Sequence, residues 1–270
     1  MVAIPQPLVS ATVITRDEQT CLAACLESLC WADEIIVLDS GSTDRTVRIA
    51  SRFTDKVYVE GWRGYGAQKN RAVDLAGGQW VLSIDADEHV PQALAKEIRA
   101  AVRTDSLNGY WIPRKNMFAG RWVRRGGWYP DRQLRLFRRG SGLFGERAVH
   151  ESLKLEGKAG RLRNALIHHT YESVTDYLAR LNHYSSLGAV ELLHRGKRAG
   201  LLDLTLRPAF AFARSYVLRG GFLEGVLGFN LAVLGACATF AKYAKLRELM
   251  ARESLDRQGE HRGPAKPGII

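Results

Sequence analysis

Two hydrophobic periods alternate along the first hundred residues. "SATVIT" (10–15) is a β-branched run that predicts a strand, and after the polar Arg16, Asp17 and Glu18 the apolar positions Leu22, Cys25, Leu26 and Leu29 recur at helical spacing. "EIIVLD" (34–39) is apolar almost throughout, the pattern of a parallel strand covered on both faces. A glycine-containing turn leads into Val47, Ile49, Ala50 and Phe53, which predict a second helix with Ser42 or Thr43 as its cap. "KVYVE" (56–60), "AQKNRAVDLA" (67–76) and "QWVLSID" (79–85) continue as strand, helix and strand. Strands alternating with helices predict an α/β fold with an open, mostly parallel sheet, whose ligands bind beyond the carboxyl ends of the strands. Asp39 and Asp85 stand at two such ends.

Past about residue 105 the texture becomes rich in Trp, Arg and Gly, with no long helix expected until "SVTDYLARLNHYSSLGAVELLHRG". From Val174 onward the pattern is helical, with breaks expected near Gly196–Gly200 and at Pro208, and the polar tail from Glu253 is expected to be flexible. The divisions are therefore 1–105, 106–173, 174–252 and 253–270. No internal repeat is present.

Composition narrows the class. A chain of 270 residues, 46% of them hydrophobic, can furnish a sizeable core. Cys21, Cys25, Cys30 and Cys237 lack paired C-x-x-C spacing, and the first three read as small reduced core residues, so neither disulfides nor zinc is implied. The start "MVAIPQPLVS" has no basic segment leading into an apolar one, which predicts a cytoplasmic location. The longest nearly apolar run, Val226–Ala241, has sixteen residues against about 20 for a membrane span, and suits a membrane surface or a protein layer better. Formal charge is +11, and between Arg99 and Arg147 twelve Lys or Arg meet three acids. Such a patch can meet nucleic acid, an anionic membrane or a phosphorylated substrate.

Against that charge stands "VLSIDADEHV" (81–90), which gathers Asp85, Asp87 and Glu88 at a strand end. Carboxylates so close repel one another unless a cation or a proton holds them together. Asp85 and Asp87 are two apart, so on an extended chain they project to one side as hard oxygen ligands suited to Mg²⁺ or Mn²⁺, with a diphosphate completing the shell. Lys69, just inside a helix start after Gly61, Gly64 and Gly66, is placed to meet the donor's base or that diphosphate.

"SATVITRDEQTCLAACLESLCWADEIIVLDSGSTDRT" followed by "YGAQKNRAVDLAGGQWVLSIDADE" resembles the opening of a family 2 glycosyltransferase of the GT-A fold. "GWYPDRQLRLFRRG", "AVHESL", "IHHTY" and "GFLEGVLGF" are similar to one bacterial subgroup, the lipopolysaccharide core glucosyltransferases. The resemblance implies a Rossmann-like GT-A domain followed by a helical membrane-associating region. It implies a donor-binding half over 1–105, with Thr15, Asp39, Lys69, Asp85 and Ala86 at a UDP-sugar, and an acceptor-binding half over 106–173. Asp39 matches the nucleoside-binding aspartate, and Asp85, Asp87 and His168 the metal set. Inverting transfer needs a base for the acceptor hydroxyl and positive charge for the departing diphosphate. Asp131 is preferred as base because basic neighbours keep it ionised, and Glu151 in "VHES" is the alternative unless it pairs structurally with Arg135 or Arg138. His150 also matches the subgroup, whereas His169 stands where an aromatic residue is expected.

The implied reaction moves a hexose, glucose from UDP-glucose, onto the heptose region of a lipid A-linked core at the inner face of the bacterial inner membrane. Transfer to a lipid phosphate or another envelope glycan is the alternative. The basic middle zone would meet the anionic acceptor, and Arg207, Arg214, Arg219, Lys242 and Lys245 would rest at the lipid surface. A non-catalytic basic module for nucleic acid or membrane has no need of acids at successive strand ends, and nucleic acid is not expected as a partner.

Overall fold

The computed structural model describes residues 8–103, 106–145 and 152–260, with the backbone alone for 254–260. The chain divides into two compact units, Met1–Glu172 and Ser173–Ile270. In the first, strands β1 (Val9–Thr15), β2 (Glu34–Asp39), β3 (Val57–Val59) and β4 (Trp80–Asp85) alternate with helices α1 (Leu22–Glu27), α2 (Thr46–Ala50) and α3 (Tyr65–Asp74). The strands lie in the order β3-β2-β1-β4, all parallel, so their carboxyl ends share one edge of the sheet. Every position of β2 is buried, as its unbroken apolar pattern requires of a strand covered on both faces.

The next elements are β5 (Glu88–His89), α4 (Gln92–Ala101), β6 (Gly109–Phe118), β7 (Arg121–Trp122), β8 (Asp131–Arg138), β9 (Gly142–Phe144), β10 (Leu153–Leu155), β11 (Ala159–Arg161) and β12 (Leu166–Tyr171). β8 runs antiparallel to β4 and to β6, while β12 is parallel to β6 and antiparallel to β5. The sheet is thus parallel across its first four strands and mixed beyond them. The antiparallel turn of β8 carries its first residues back to the edge where β4 delivers Asp85. Helix α4 was not foreseen, although Leu94, Ala95 and Ile98 form a buried face at helical spacing.

The core joins Leu22, Leu26 and Leu29 to the buried faces of β1, β4 and α4. Trp80, fully buried, packs against Tyr110 and lies under the guanidinium of Arg138, 4.7 Å from the ring centre. Of the cysteines expected in the core only Cys25 is buried; Cys21 is half-buried, and Cys30 and Cys237 are exposed. Cys30 lies beyond the end of α1, where its Sγ turns back to the Leu26 carbonyl at 3.5 Å while Leu29 takes the buried position.

The second unit contains α5 (Val174–His194), α6 (Leu201–Ala213), a π-helical turn (Arg214–Leu218), a 3₁₀ turn (Gly221–Glu224) and α7 (Val226–Glu260). Ser173 caps α5 by accepting the Asp176 N–H at 3.1 Å. The expected break at Gly196–Gly200 separates α5 from α6, but Pro208 lies inside α6. Packing along α7 carries α6 through the one hydrogen bond that proline cannot donate. Lys245, expected at the lipid surface, instead shares its three N–H groups among four oxygens at 2.7–2.8 Å, the Asn182 carbonyl, Asn182 Oδ1, Ser185 Oγ and Ser186 Oγ, and so ties α7 to α5. Helix formation carries the apolar run well past Ala241: Val226–Glu253 is long and apolar enough to cross a membrane by length and composition.

A buried carboxylate pins the amino edge of the parallel strands. Glu34, at the start of β2, accepts from Ser10 Oγ, from Lys56 Nζ and from the Gly77 N–H at 2.8 Å. Burial opposes its ionisation, but Lys56, Ser10 and Gly77 together hold its carboxyl below the usual range. Glu34→Ala strands these donors, so denaturant unfolding at pH 7 should show a loss of about 1–3 kcal/mol. That loss should shrink as pH falls below the unfolded-state carboxyl value of about 4.3, where the folded carboxylate's advantage is given up.

Candidate active site

The edge shared by the strand ends holds a line of ion pairs. Lys69 on α3 places Nζ 2.9 Å from Asp85 Oδ1, and Asp85 Oδ2 accepts from Arg135 Nη2 on β8. The same Nη2 lies 2.8 Å from Glu88 Oε1, which also accepts from Arg114 Nη1 on β6 at 3.1 Å. Arg114 then donates through Nε and Nη2 to Asp131 Oδ2 at 2.9 and 2.5 Å. Lys69, Asp85, Arg135, Glu88, Arg114 and Asp131 alternate in sign, three cations with three carboxylates. The positive charge that the acidic cluster demands is therefore supplied by the chain itself.

Burial makes this pairing obligatory. The Glu88 side chain is 0% exposed, and its second oxygen accepts the Asp85 N–H at 3.0 Å. An ionised group so placed is tolerated only when paired and hydrogen-bonded. Desolvation raises the Asp85 carboxyl, but Arg135 and Lys69 outweigh it and hold the group far below the usual carboxylate range. Asp131 behaves alike: desolvation opposes ionisation, while Arg114, Gln133 and Asn116 lower its pKa.

Asp87 stands outside this line. Its Oδ2 is 3.3 Å from His168 Nε2 on β12, and its carbonyl accepts the His169 N–H at 3.0 Å. The histidine ring is held from behind. Asn116 Nδ2 donates to the Trp128 carbonyl at 3.0 Å and to Asp131 Oδ2 at 3.3 Å, which turns Asn116 Oδ1 toward His168 Nδ1 at 2.8 Å. A carbonyl oxygen can only accept, so Nδ1, which also has Thr170 Oγ1 at 3.1 Å, carries a hydrogen toward Asn116, and in the neutral ring Nε2 is left with a lone pair on the Asp87 side. In that neutral form two acceptors face each other, an arrangement that a cation between them satisfies. Among the described residues no three His, Cys, Asp or Glu side chains converge on a cation. Asp87 and His168 fit a divalent ion as a pair of ligands, whereas the oxygens of Asp85 are already engaged by Lys69 and Arg135.

The loops after β1 and β2 are laced together beside this edge. Asp39, fully buried, accepts the N–H groups of Gly41 and Ser42 at 2.9 and 2.8 Å and the Ser42 hydroxyl. Gly41 takes φ +87°, a conformation that favours glycine. The expected cap for α2 is not formed by Ser42 or Thr43. Ser42 Oγ accepts the Asp17 N–H, Thr43 donates its N–H to Asp17 Oδ1, and Asp44 accepts the Thr46 N–H, each at 2.8 Å. The turn grips the neighbouring loop and leaves the helix start to Asp44. Within the same region Thr15 Oγ1, Ser40 Oγ and Gln68 Nε2 are buried with no hydrogen-bond partner among the described residues. Ala86 is buried between the two aspartates.

Lys69, Asp85, Asp87, Asp131 and His168 thus share one edge of the sheet, with Thr15 and Asp39 at the ends of β1 and β2. Lys69 is buried against Asp85 and Phe144, 5.6 Å from the ring centre, and serves Asp85 first. Glu151 and His150 lie outside the described residues. The basic middle zone is not one solvated face, because Arg114 and Arg135 point inward. Their roles, with those of Glu88 and Asn116, were not anticipated. Period-two spacing was the available signal: Asp131, Gln133 and Arg135 alternate along β8, as Arg114 and Asn116 do along β6.

Comparison with known proteins places these observations. The model of "Glycosyl transferase family 2" matches residues 10–155. The lipopolysaccharide core biosynthesis glycosyltransferase LpsC of Rhizobium meliloti is 34% identical over 94% of this chain and 98% of its own length. An uncharacterized glycosyltransferase of Rickettsia typhi is 32% identical over 89% of this chain and 87% of its own. Among solved structures, S. aureus TarS 1-349 in complex with UDP-GlcNAc aligns over 91% of this chain and 92% of that one at 16% identity and a TM-score of 0.49, a likeness too slight to carry an inference.

Removing the central cation tests the line of pairs. Arg135→Met leaves Asp85 and Glu88 short of their shared guanidinium, and denaturant melts at pH 7 should show a loss of about 3–5 kcal/mol, the usual cost of breaking a buried pair from one side. Carboxylates with lowered pKa contribute stability that is full above the unfolded value of about 3.9 and lost as pH falls through their folded values. The difference between Arg135→Met and the parent should therefore narrow below pH 4. An equal difference at pH 7 and pH 3.5 would show that charge pairing is not its source.

Proposed function

The chain belongs to glycosyl transferase family 2, and on that footing we propose that it moves glucose from UDP-glucose, with inversion, onto the heptose-containing inner core of a lipopolysaccharide at the cytoplasmic membrane face. It is a glycosyltransferase of the GT-A fold. The observation that carries the acceptor class is the likeness to LpsC, which continues past the family match through almost the whole chain. Residues 1–105 would bind the donor, 106–173 the acceptor, and 174–252 the membrane.

Chemistry divides among the residues of the sheet edge. Thr15 offers a buried hydroxyl in want of a partner to the nucleoside, while Asp39 holds the turn that shapes that end of the crevice. Asp87 and His168 would hold Mg²⁺ or Mn²⁺, which when bound supplies positive charge for the departing diphosphate, and Ala86 beside them would line the donor sugar. Lys69 and Arg135 keep Asp85 ionised and fixed. Asp131 is the proposed base. It is ionised under the influence of Arg114, partly exposed, and linked through Asn116 to His168. As it takes the proton of the acceptor hydroxyl, that oxygen bonds to the anomeric carbon and the bond to UDP breaks on the opposite face.

Asp87→Ala should abolish transfer and metal-dependent UDP binding while unfolding stays cooperative; full turnover in excess EDTA contradicts the metal assignment. For the base, Asp131→Asn should lose about 10²–10⁴-fold in kcat, the usual worth of a general base, with UDP-glucose affinity within a few-fold of the parent. Should Glu151→Gln be the inactive variant while Asp131→Asn turns over normally, the base is Glu151.

A further inference from the structure

The second unit carries an apolar surface that its own fold leaves open. On α6, Leu202, Leu206 and Phe210 recur four residues apart and are each at least 60% exposed. Along α7 an apolar stripe follows helical spacing through Val226, Phe229, Val233, Cys237 and Phe240, with Val226 77% exposed. The turn between the helices adds Leu218, Phe222 and Leu223, all exposed. The two stripes meet there, because the ring of Phe229 packs against Phe212 and Tyr216 at 5.8 and 5.7 Å, and Tyr216 against Phe222 at 6.4 Å. The turn is tightly closed: a Cβ at Gly221 would lie 2.7 Å from the Ser215 carbonyl oxygen, and one at Gly228 would strike the carbonyl of Gly221. The surface is a fixed shape with far more apolar area than an isolated exposed leucine presents.

Charge around it is net positive. From Leu201 to Lys242 the cations are Arg207, Arg214, Arg219 and Lys242, and the acids are Asp203 and Glu224. Asp203 is paired with Arg207, and Glu224 is buried. Arg214 continues the Leu202–Leu206–Phe210 row one turn on, and its long stem lets the guanidinium reach upward from an apolar layer, while Arg207 lies beside the row, paired with Asp203 and stacked on Tyr243 at 4.9 Å. An apolar stripe edged by arginines is the arrangement of a helix that lies in the plane of a bilayer surface, its apolar side chains about 5–10 Å into the boundary of headgroups and acyl chains. A spanning α7 would instead place Phe240 near the bilayer centre, since Val226–Glu253 is centred close to that residue.

We propose that α6, α7 and the turn between them insert in-plane into one leaflet of an anionic bilayer, held by apolar burial as well as by charge. This deepens the peripheral membrane reading above and is independent of the sugar chemistry. Attachment should therefore outlast the screening that strips a purely electrostatic adsorbate.

The full chain is mixed with phosphatidylethanolamine/phosphatidylglycerol vesicles and floated at 0.05–1 M NaCl. Binding should persist at 1 M, and the double variant Leu206→Glu/Phe210→Glu should lose more than about tenfold in partitioning, because two large apolar side chains no longer leave water. These residues are exposed, so the variant should keep the parent's melting temperature and its UDP-glucose hydrolysis, which separates failure of insertion from failure of the glycosyltransferase reading. In Phe240→Trp, fluorescence above the parent background should be quenched more by lipid labelled near the headgroup than near the chain terminus. Complete release by salt, stronger quenching from the bilayer centre, or a dimer in vesicle-free buffer that the double variant dissolves would each overturn the proposal.

Discussion

The alternating line of charge from Lys69 to Asp131 is the constraint on which the site depends. It draws members from one helix and four strands or strand ends, and none of those ends could carry its charged side chain into the interior without the next. Asp85 needs Lys69 and Arg135, Glu88 needs Arg135 and Arg114, and Asp131 needs Arg114. A buried ion pair contributes little net stability over an apolar pair of the same shape, but leaving one member alone is expensive. The line therefore specifies arrangement more than it adds stability. It fixes how β8 and β6 lie against β4, and with them the edge where a ligand of the family would bind.

Neutralising the six members of the line has a second effect, which is to single out Asp87. Among the described residues its carboxylate is the acid of the "DADE" segment with no arginine or lysine in a salt bridge to it, and the group it faces is the ring of a histidine whose Nδ1 is held on the far side by Asn116. On the proposed reading, that pair is where an external cation would be held.

Much of the first unit was legible because its strands are covered on both faces. "EIIVLD" and "QWVLSID" carry nothing but burial in their pattern, and the helices between them follow from spacing alone. The mixed half was harder. β6 and β8 bring charged residues into the interior in alternation, so Arg114 and Arg135 counted toward a basic surface when they are internal counter-charges. Whether an arginine faces water or a carboxylate depends on a strand 17 to 50 residues away in the chain being brought alongside, and composition has no access to that. The same limit hid the cap of α2, where Ser42 and Thr43 have the right chemistry but Asp17 lies closer. In the second unit Lys245 shows the reverse case, a cation in a basic stretch that is spent on the hydroxyls and carbonyls of α5.

The central claim is that the charge line leaves Asp87 and a lone pair on His168 Nε2 as the place for a cation, and the histidine's tautomer reports on it directly. Long-range ¹H–¹⁵N correlation spectra of ¹⁵N-histidine protein, with His168→Gln to assign the resonance, read which nitrogen bears hydrogen at a pH where the ring is neutral. The account predicts the Nδ1–H tautomer, with the Nε2 resonance moving when Mg²⁺ and UDP are added together. An Nε2–H tautomer donating to Asp87, unchanged by Mg²⁺ and UDP, would contradict it.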